Sequence, residues 1–310
     1  MKYMPHFYGQ QLANSLIAVP LAPHRVDIDT VTRSCGPHTI YTLDVRAPVR
    51  RIKGPRDQLC VVYYHDAGSD HWVQGRTLAT GTLLVVTATD QLDYLVGDGS
   101  KLSGVYTPVA LLPRTPAMAA LLAACDASAG PLILKPDPGS AIGPLFEDLR
   151  YSLLFPDAPG ATTWHAEDVL TLIETHIGAV FAAQGALLVP CNDSVRSRYR
   201  AFRAAETFMQ RNINKEIYIE QLCCAASASE RTVRNAFDDM VGLSPNQYLS
   251  MLRLAFAQRE LAQAHSHRAS VASIALKYGL WDFSRFSASY ARVYSEYPSD
   301  TLRRIACVAA

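Results

Sequence analysis

A chain of 310 residues, 49% of them hydrophobic and 18% charged, is long enough for two domains with separate apolar cores. No apolar run approaches the roughly 18 residues of a membrane span, and Met1–Pro20 lacks the features of a signal peptide. The net charge of +1 is uneven: residues 196–310 hold 16 basic and 10 acidic residues, and residues 1–195 hold 13 and 18. This asymmetry indicates that the C-terminal part alone contacts phosphates.

The seven cysteines form no CxxC pair and no disulfide-framework spacing. An odd number of cysteines in a chain of this length favours reduced thiols and a cytoplasmic protein. The sequence leaves open whether any of these thiols has a redox role.

Residues 39–112 contain short runs rich in β-branched and aromatic residues, separated by Gly, Asp, Ser and Pro turns. The predicted strands are Ile40–Val45, Leu59–Tyr64, Trp72–Val73, Leu83–Thr87, Tyr94–Val96 and Val105–Leu111. Such spacing is typical of a small antiparallel barrel or sandwich. We therefore predict an α+β multidomain chain that begins with an antiparallel β-barrel.

Helical patterns follow at Pro116–Ala127, Leu145–Leu154 and Ala166–Ala182. The last of these carries an apolar stripe made of Val169, Leu170, Ile173, Ile177, Val180 and Phe181. Such a stripe faces either the core of its own domain or a second copy of the chain, and both alternatives stay open. Gln184–Ser197 has the Gly, Pro and Asn-Asp-Ser content of a linker. The predicted domains are residues 1–183 and 198–310, joined by residues 184–197.

A repeated segment dominates the C-terminal part. Ser229–Leu249 aligns with Asp282–Leu302, 53 residues further on, and the alignment pairs Val233 with Phe286, Phe237 with Tyr290, and Met240 with Val293. Each copy follows a short helical pattern, Ile219–Ala226 or Val271–Tyr278, and a tight turn. A helix, a turn and a second helix predict a helix-turn-helix, and two copies predict a module for two successive major-groove segments.

Residues that start and stop helices agree with this reading. Ser229 is a good N-cap, Gly242 suits a left-handed helix end, and Ser244-Pro245 supplies the cap and first residue of the next helix. That helix, Asn246–Ala264, is long enough to link the two units rigidly. In the second copy Ser295 takes the glycine position, where a left-handed conformation costs about 1 kcal/mol more.

Three segments carry a family resemblance: SPNQYL (244–249) with Arg253-Leu254, GLWDFSRF (279–286) and YPSDTLR (297–303). With them, residues 198–304 resemble the AraC/XylS family of bacterial transcription regulators. Leu280 and Ser295 depart from the family's phenylalanine and glycine. The resemblance implies that the third and sixth helices of the module enter the major groove of promoter DNA, and that RNA polymerase is a partner.

Carried over by position, the resemblance places Arg231, Arg234 and Asn235 at the bases in the first unit. In the second unit it places Ser284, Arg285 and Ala288 there. Lys277 and Arg292 are candidate phosphate contacts. The segment from Gly75 to Leu84 resembles a hairpin of the cupin-like sensor domain found in many relatives. We therefore expect a transcription regulator, specifically an activator, that is controlled by an unidentified small effector or partner. We expect no enzymatic activity and no cofactor.

Two alternatives depend on other residues. A metal-dependent cupin enzyme would need converging histidines and a carboxylate; His65 and His71 are the close pair in the barrel region, and we expect them to be exposed turn residues without a metal. A regulator that binds a cyclic dinucleotide would use Arg46 and Arg50, whose RxxxR spacing is similar to that of PilZ-type modules. The matching Asp-x-Ser-x-x-Gly motif is absent from the sequence.

Overall fold

The structure is a computed structural model that describes residues 18–22, 28–46, 48–51, 57–68, 71–87, 93–112, 115–127, 131–184, 193–264 and 270–308. The strands are β1 (Ala18–Pro20), β2 (Ile28–Cys35), β3 (His38–Val45), β4 (Val49–Arg51), β5 (Gln58–Asp66), β6 (Trp72–Val73), β7 (Arg76–Thr77), β8 (Leu83–Thr87), β9 (Tyr94–Val96), β10 (Lys101–Pro108) and β11 (Leu132–Leu134).

The helices of the N-terminal part are α1 (Pro116–Ala127), α2 (Ile142–Leu154) and α3, which runs through Ala166–Thr171, a π-helical segment Leu172–Ile177, and Gly178–Gln184. Those of the C-terminal part are α4 (Asp193–Arg211), α5 (Ile219–Ala226), α6 (Glu230–Val241), α7 (Pro245–Gln263), α8 (Val271–Lys277), α9 (Phe283–Tyr294) and α10 (Pro298–Val308). In the described ranges, no helix is both long enough and apolar enough to cross a bilayer.

The strands form two antiparallel sheets, ordered β11-β8-β5-β10-β3-β2 and β1-β4-β9-β6-β7. Our prediction of a barrel was wrong in its closure, because no described strand of one sheet pairs with a strand of the other. All six predicted strands exist, although the last one starts earlier, at Lys101, and its end is the 3₁₀ turn Val109–Leu111. The sequence analysis missed β1, β2, β4, β7 and β11.

Side-chain alternation divides the large sheet between two cores. Tyr41 and Leu43 of β3 and Val62 of β5 face the small sheet, whereas Ile40 and Val61 face the helices α1–α3. Gly104 of β10 pairs with Tyr41, and a side chain at this position would overlap the Tyr41 ring. A glycine there lets the tyrosine lie flat across the sheet and stack on Tyr106, with ring centroids 5.0 Å apart.

The apolar stripe of α3 packs into the core of its own domain. Val169, Ile173 and Ile177 are fully buried there, and the π-helical segment also turns Leu172 inward, so that Leu170 is only partly covered. The alternative in which this stripe faces a second copy was therefore wrong. A homodimer through other parts of Ala166–Ala182 stays a prediction.

The repeat prediction is confirmed in the packing of the C-terminal helices. Val233 and Phe237 of α6 and their counterparts Phe286 and Tyr290 of α9 are all buried. Gly242 and Ser295 both end their helices in the left-handed region, with φ of 64° and 56°. The structure differs from the predicted linker in one respect, because α4 begins at Asp193; residues 185–192 of that linker lie outside the described residues.

The N-terminal domain docks on the first of the two units. The buried Asp93, 1% exposed, accepts a hydrogen bond from the Tyr199 hydroxyl (3.0 Å) and pairs with Arg203 Nε (3.1 Å). Trp72 Nε1 donates to the Met240 carbonyl oxygen at 2.8 Å. Val19 of β1 packs in the same apolar cluster as α6 and α7. Buried, charge-assisted contacts of this kind fix one orientation of the two domains.

We predict that Asp93→Asn loosens this docking, because the amide leaves the partly buried Arg203 without one of its carboxylate partners. The expected cost is about 2–3 kcal/mol of unfolding free energy, measured by chemical denaturation of the full chain. Asp98→Asn is the matched control, since Asp98 is an exposed carboxylate of the same domain. Equal midpoints for the two variants would contradict the assignment.

Candidate nucleic-acid interface

The first candidate reading helix, α6, is built by local signals. Ser229 caps it by accepting a hydrogen bond from the Thr232 backbone N–H at 3.2 Å. Ser227, in the left-handed region with φ of 50°, makes the tight turn that follows α5. The helix-turn-helix of the first unit is therefore α5, this turn and α6, as predicted.

The outer face of α6 is polar and open to solvent. Arg231, Arg234 and Asn235 are all exposed. Arg234 is held by Glu230 one turn earlier, with 2.6 Å between Nη2 and Oε1. In the part of the chain that the structure describes, no salt bridge involves Arg231. Arg231 and Asn235, four residues apart, thus share one face and are available to an external ligand.

The second candidate reading helix, α9, has the same design. Asp282 caps it by accepting from the Arg285 backbone N–H at 2.9 Å, and Gly279, with φ of 68°, turns the chain between α8 and α9. Ser284, Arg285, Ala288 and Arg292 are all exposed. Its sequence-predicted residues therefore lie on an open surface as well.

The helix α7 belongs to the cores of both units. Tyr248 and Leu252 pack with α6, whereas Ala257 and Leu261 pack with Ile274 of α8 and its neighbours. Nineteen residues at about 1.5 Å each give a rod about 28 Å long. That length is close to the roughly 34 Å that separates successive major grooves on one face of DNA.

Of the two phosphate candidates, one is already engaged. Lys277 Nζ pairs with Glu260 of α7 at 2.7 Å, although its side chain is 59% exposed. Arg292 contacts only Ser289 Oγ, at 3.4 Å, among the described residues. Arg292 is therefore the more available cation, and Lys277 would have to exchange a carboxylate for a phosphate.

Docking of the N-terminal domain leaves the polar face of α6 uncovered. Trp72 reaches the carbonyl of Met240, at the C-terminal end of α6, and Asp93 contacts the preceding helix α4. Arg198 of α4 also holds Asp239 with 2.5 Å between Nη1 and Oδ2. Sequence reasoning missed these interface residues. Nothing in the local sequence distinguishes Asp93 from an exposed loop aspartate, because its partner Tyr199 lies 106 residues later in the chain.

His71 is buried and His65 is half-buried, so our expectation of exposed turn residues was wrong. The ring nitrogens of His65 form hydrogen bonds with Glu147 of α2 (2.8 Å) and with Ser103 of β10 (2.9 Å). His71 is 2% exposed beside Tyr64, and its Nε2 has no hydrogen-bond partner. The two histidines contact different residues and do not converge on one site. Among the described residues, no group of three or more metal-ligating side chains occurs.

Only one of the two arginines of the cyclic-dinucleotide alternative has a side chain within the described residues. Arg46, 65% exposed, pairs with Asp29 of β2 at 3.0 Å. The side chain of Arg50 lies outside the described residues, as do Lys53 and Arg56. This alternative stays a prediction without structural support.

Comparisons with known proteins agree with the geometry of the C-terminal part. Residues 222–304 match the family model described as a helix-turn-helix domain. The "XylDLEGF operon transcriptional activator 1" of Pseudomonas putida is 31% identical over 104 residues, which are 34% of this chain and 31% of that protein. The "Regulatory protein HrpB" of Ralstonia nicotianae is 26% identical over 155 residues, 48% of this chain and 32% of that protein.

A solved structure of a probable AraC family transcriptional regulator from Rhodopseudomonas palustris is 30% identical, covers 34% of this chain and 95% of that one, and has a TM-score of 0.31. The chain spans about a third of the length of the Pseudomonas and Ralstonia relatives. These two relatives are named as regulators, which confirms the resemblance of the C-terminal part.

We predict an acid-sensitive core from His71. Burial lowers the pKa of His71 from 6.5 to about 3, so that the unfolded chain binds the proton and the native chain does not. The contribution of this group to stability is complete above pH 6.5 and declines as the pH falls towards about 3. Between pH 6.5 and about pH 5 the unfolding free energy should drop by about 2 kcal/mol.

Denaturation midpoints of His71→Leu and of the unchanged chain, taken across this range, test the assignment. The variant should lose most of the pH dependence and keep the smaller part due to His38 and His65, whose pKa values burial also lowers. His165→Gln, at an exposed position, is the control and should keep the full dependence. Parallel curves for His71→Leu and the unchanged chain would refute the prediction.

Proposed function

We propose that this chain, which carries an AraC/XylS-type helix-turn-helix domain in its C-terminal third, is a sequence-specific DNA-binding transcription regulator. The observation that carries the proposal is the position of the candidate side chains. They are exposed on α6 and α9 of two units that one helix joins, and Arg231 and Asn235 are repeat-equivalent to Ser284 and Ala288. The basic balance of residues 196–310 supports the same function, because phosphate contacts supply much of the affinity for DNA.

In this mechanism each unit places one helix in a major groove. Arg231 and Asn235 read base edges in the first groove, where a bidentate arginine–guanine or asparagine–adenine pair contributes about 1–3 kcal/mol of discrimination. The Ser284–Ala288 face of α9 reads the next groove. Arg292 and Lys277 neutralise phosphates, and the rod-like α7 sets the spacing.

The N-terminal domain acts as the control element. Its docking on α4 and α6 gives a ligand a route to the DNA-binding part, since an effector that binds one arrangement of the domains better shifts the population towards it. We propose that the effector is an unidentified small molecule and that the two-sheet domain is related to cupins. We also propose that the chain forms a homodimer, that its target is promoter DNA and that RNA polymerase is a partner. Activation is proposed from the printed names of the relatives, several of which are activators.

We predict that Arg231→Ala and Arg234→Ala relax sequence preference, with the larger loss for Arg231, because Arg234 is held by Glu230. Arg231→Ala should lose about 1–3 kcal/mol of discrimination at one base pair. Arg292→Ala should weaken binding to all sequences alike and lower the slope of affinity against salt by about 1. DNA selected from random sequence by the full chain, and then bound by each variant, provides the measurement.

An unchanged preference in Arg231→Ala would contradict the assignment of that side chain. Failure of the full chain to enrich any sequence over random DNA would reject the proposed function itself. Arg211→Ala is the matched control, because Arg211 is an exposed arginine at the end of α4 and belongs to neither reading helix.

A further inference from the structure

At repeat-equivalent positions, the two reading helices carry different kinds of side chain: long and polar on α6, short on α9. By the 53-residue repeat, Arg231 corresponds to Ser284 and Asn235 corresponds to Ala288. All four side chains are exposed. The first helix therefore offers a guanidinium and an amide, whereas the second offers a hydroxymethyl group and a methyl group at the same two places.

The surroundings of these positions extend the contrast. On α9 the flanking residues Ser287 and Ala291 are also short, and both are only partly exposed. The exposed arginines Arg285 and Arg292 are seven residues apart, so they lie together on one flank of the helix and suit two phosphates. At the centre of the face, between Ser284 and Ala288, no long polar side chain is available for a bidentate pair with a base; Arg285, which the resemblance places at the bases, lies on the flank.

A helix surface of this kind recognises a different feature of DNA. An alanine methyl group makes apolar contact with the 5-methyl group of thymine, the apolar group that this base exposes in the major groove. Short side chains also let the helix backbone come closer to the bases than arginine would. Trp281 and Phe283, 53% and 43% exposed, add apolar surface at the N-terminal end of α9.

We propose that the two units divide the work of recognition, and that α9 reads thymine through its 5-methyl group at Ala288, with Ser284 beside it. The first unit reads hydrogen-bonding base edges through Arg231 and Asn235. This inference rests on the proposed function and specifies the ligand of its second half. It predicts a target with two unlike halves, of which the half bound by α9 is rich in thymine.

The test removes single methyl groups from the DNA and leaves the protein unchanged. Each thymine of the sequence selected by the full chain is replaced in turn by 2′-deoxyuridine, which keeps every hydrogen-bonding group. Binding to at least one position, about one helical turn from the bases that depend on Arg231, should weaken about fourfold, the factor expected for one buried methyl-sized group. Replacements elsewhere should have no effect.

A variant then connects the methyl group to its partner. Ala288→Gly should bind the thymine and deoxyuridine forms of that site equally, whereas Ala272→Gly, at an exposed alanine of α8, should keep the fourfold difference. Thermal unfolding shows whether Ala288→Gly is folded, since glycine costs a helix about 1 kcal/mol. The deoxyuridine series on the unchanged chain decides the matter even if this variant is unfolded.

The outcomes separate this inference from the proposed function. A selected site in which no deoxyuridine replacement weakens binding, or in which Ala288→Gly retains the difference, overturns the methyl contact while the regulator proposal stands. Absence of any selected sequence overturns both.

Discussion

The shared helix α7 is the constraint on which the C-terminal module depends. Its residues are divided between two cores, so neither unit can move along or around the helix without losing buried apolar contacts. Arg253, near its middle, donates to the carbonyl oxygens of Ile213 (2.9 Å) and Lys215 (2.5 Å) and so ties the segment after α4 to the same rod. The distance between α6 and α9 is thereby set by a continuous helix rather than by a loop.

The N-terminal domain contacts both the first unit and the shared helix. Its buried Asp93 contacts α4, its Trp72 contacts α6, and its strand β1 packs on α7. Glu206 of α4, fully buried, accepts hydrogen bonds from Arg203 and from the Tyr248 hydroxyl of α7. A chain of polar contacts therefore leads from the N-terminal part through α4 to the shared helix.

The parts of the fold that local signals specify could be predicted from the sequence. Ser229, Gly242 and Pro245 mark helix ends by their own backbone preferences, so the two reading helices and their exposed faces could be located. Contacts between distant segments could not be predicted in this way. The pairing of Asp93 with α4 depends on how the N-terminal and C-terminal parts of the chain meet.

Other differences have equally specific causes. The π-helical segment of α3 shifts the apolar face by part of a turn, so periodicity assigned Leu170 to the core where Leu172 lies. The missed strands β4 and β7 are short and contain arginines, whereas the equally short strands β6 and β9, which were predicted, consist of aromatic and aliphatic residues. His71 lies next to a turn in the sequence, yet the packing of Tyr64 encloses it.

The central claim is that two helices on a rigid link occupy adjacent grooves on one face of a duplex, and a phasing experiment tests it most directly. Five base pairs inserted between the two halves of the selected site rotate one half by about half a turn. We predict a loss of at least about tenfold in affinity, because α7 cannot follow the displaced groove. Affinity that is unchanged by the insertion would show that the two units do not bind one face together, and would contradict the account.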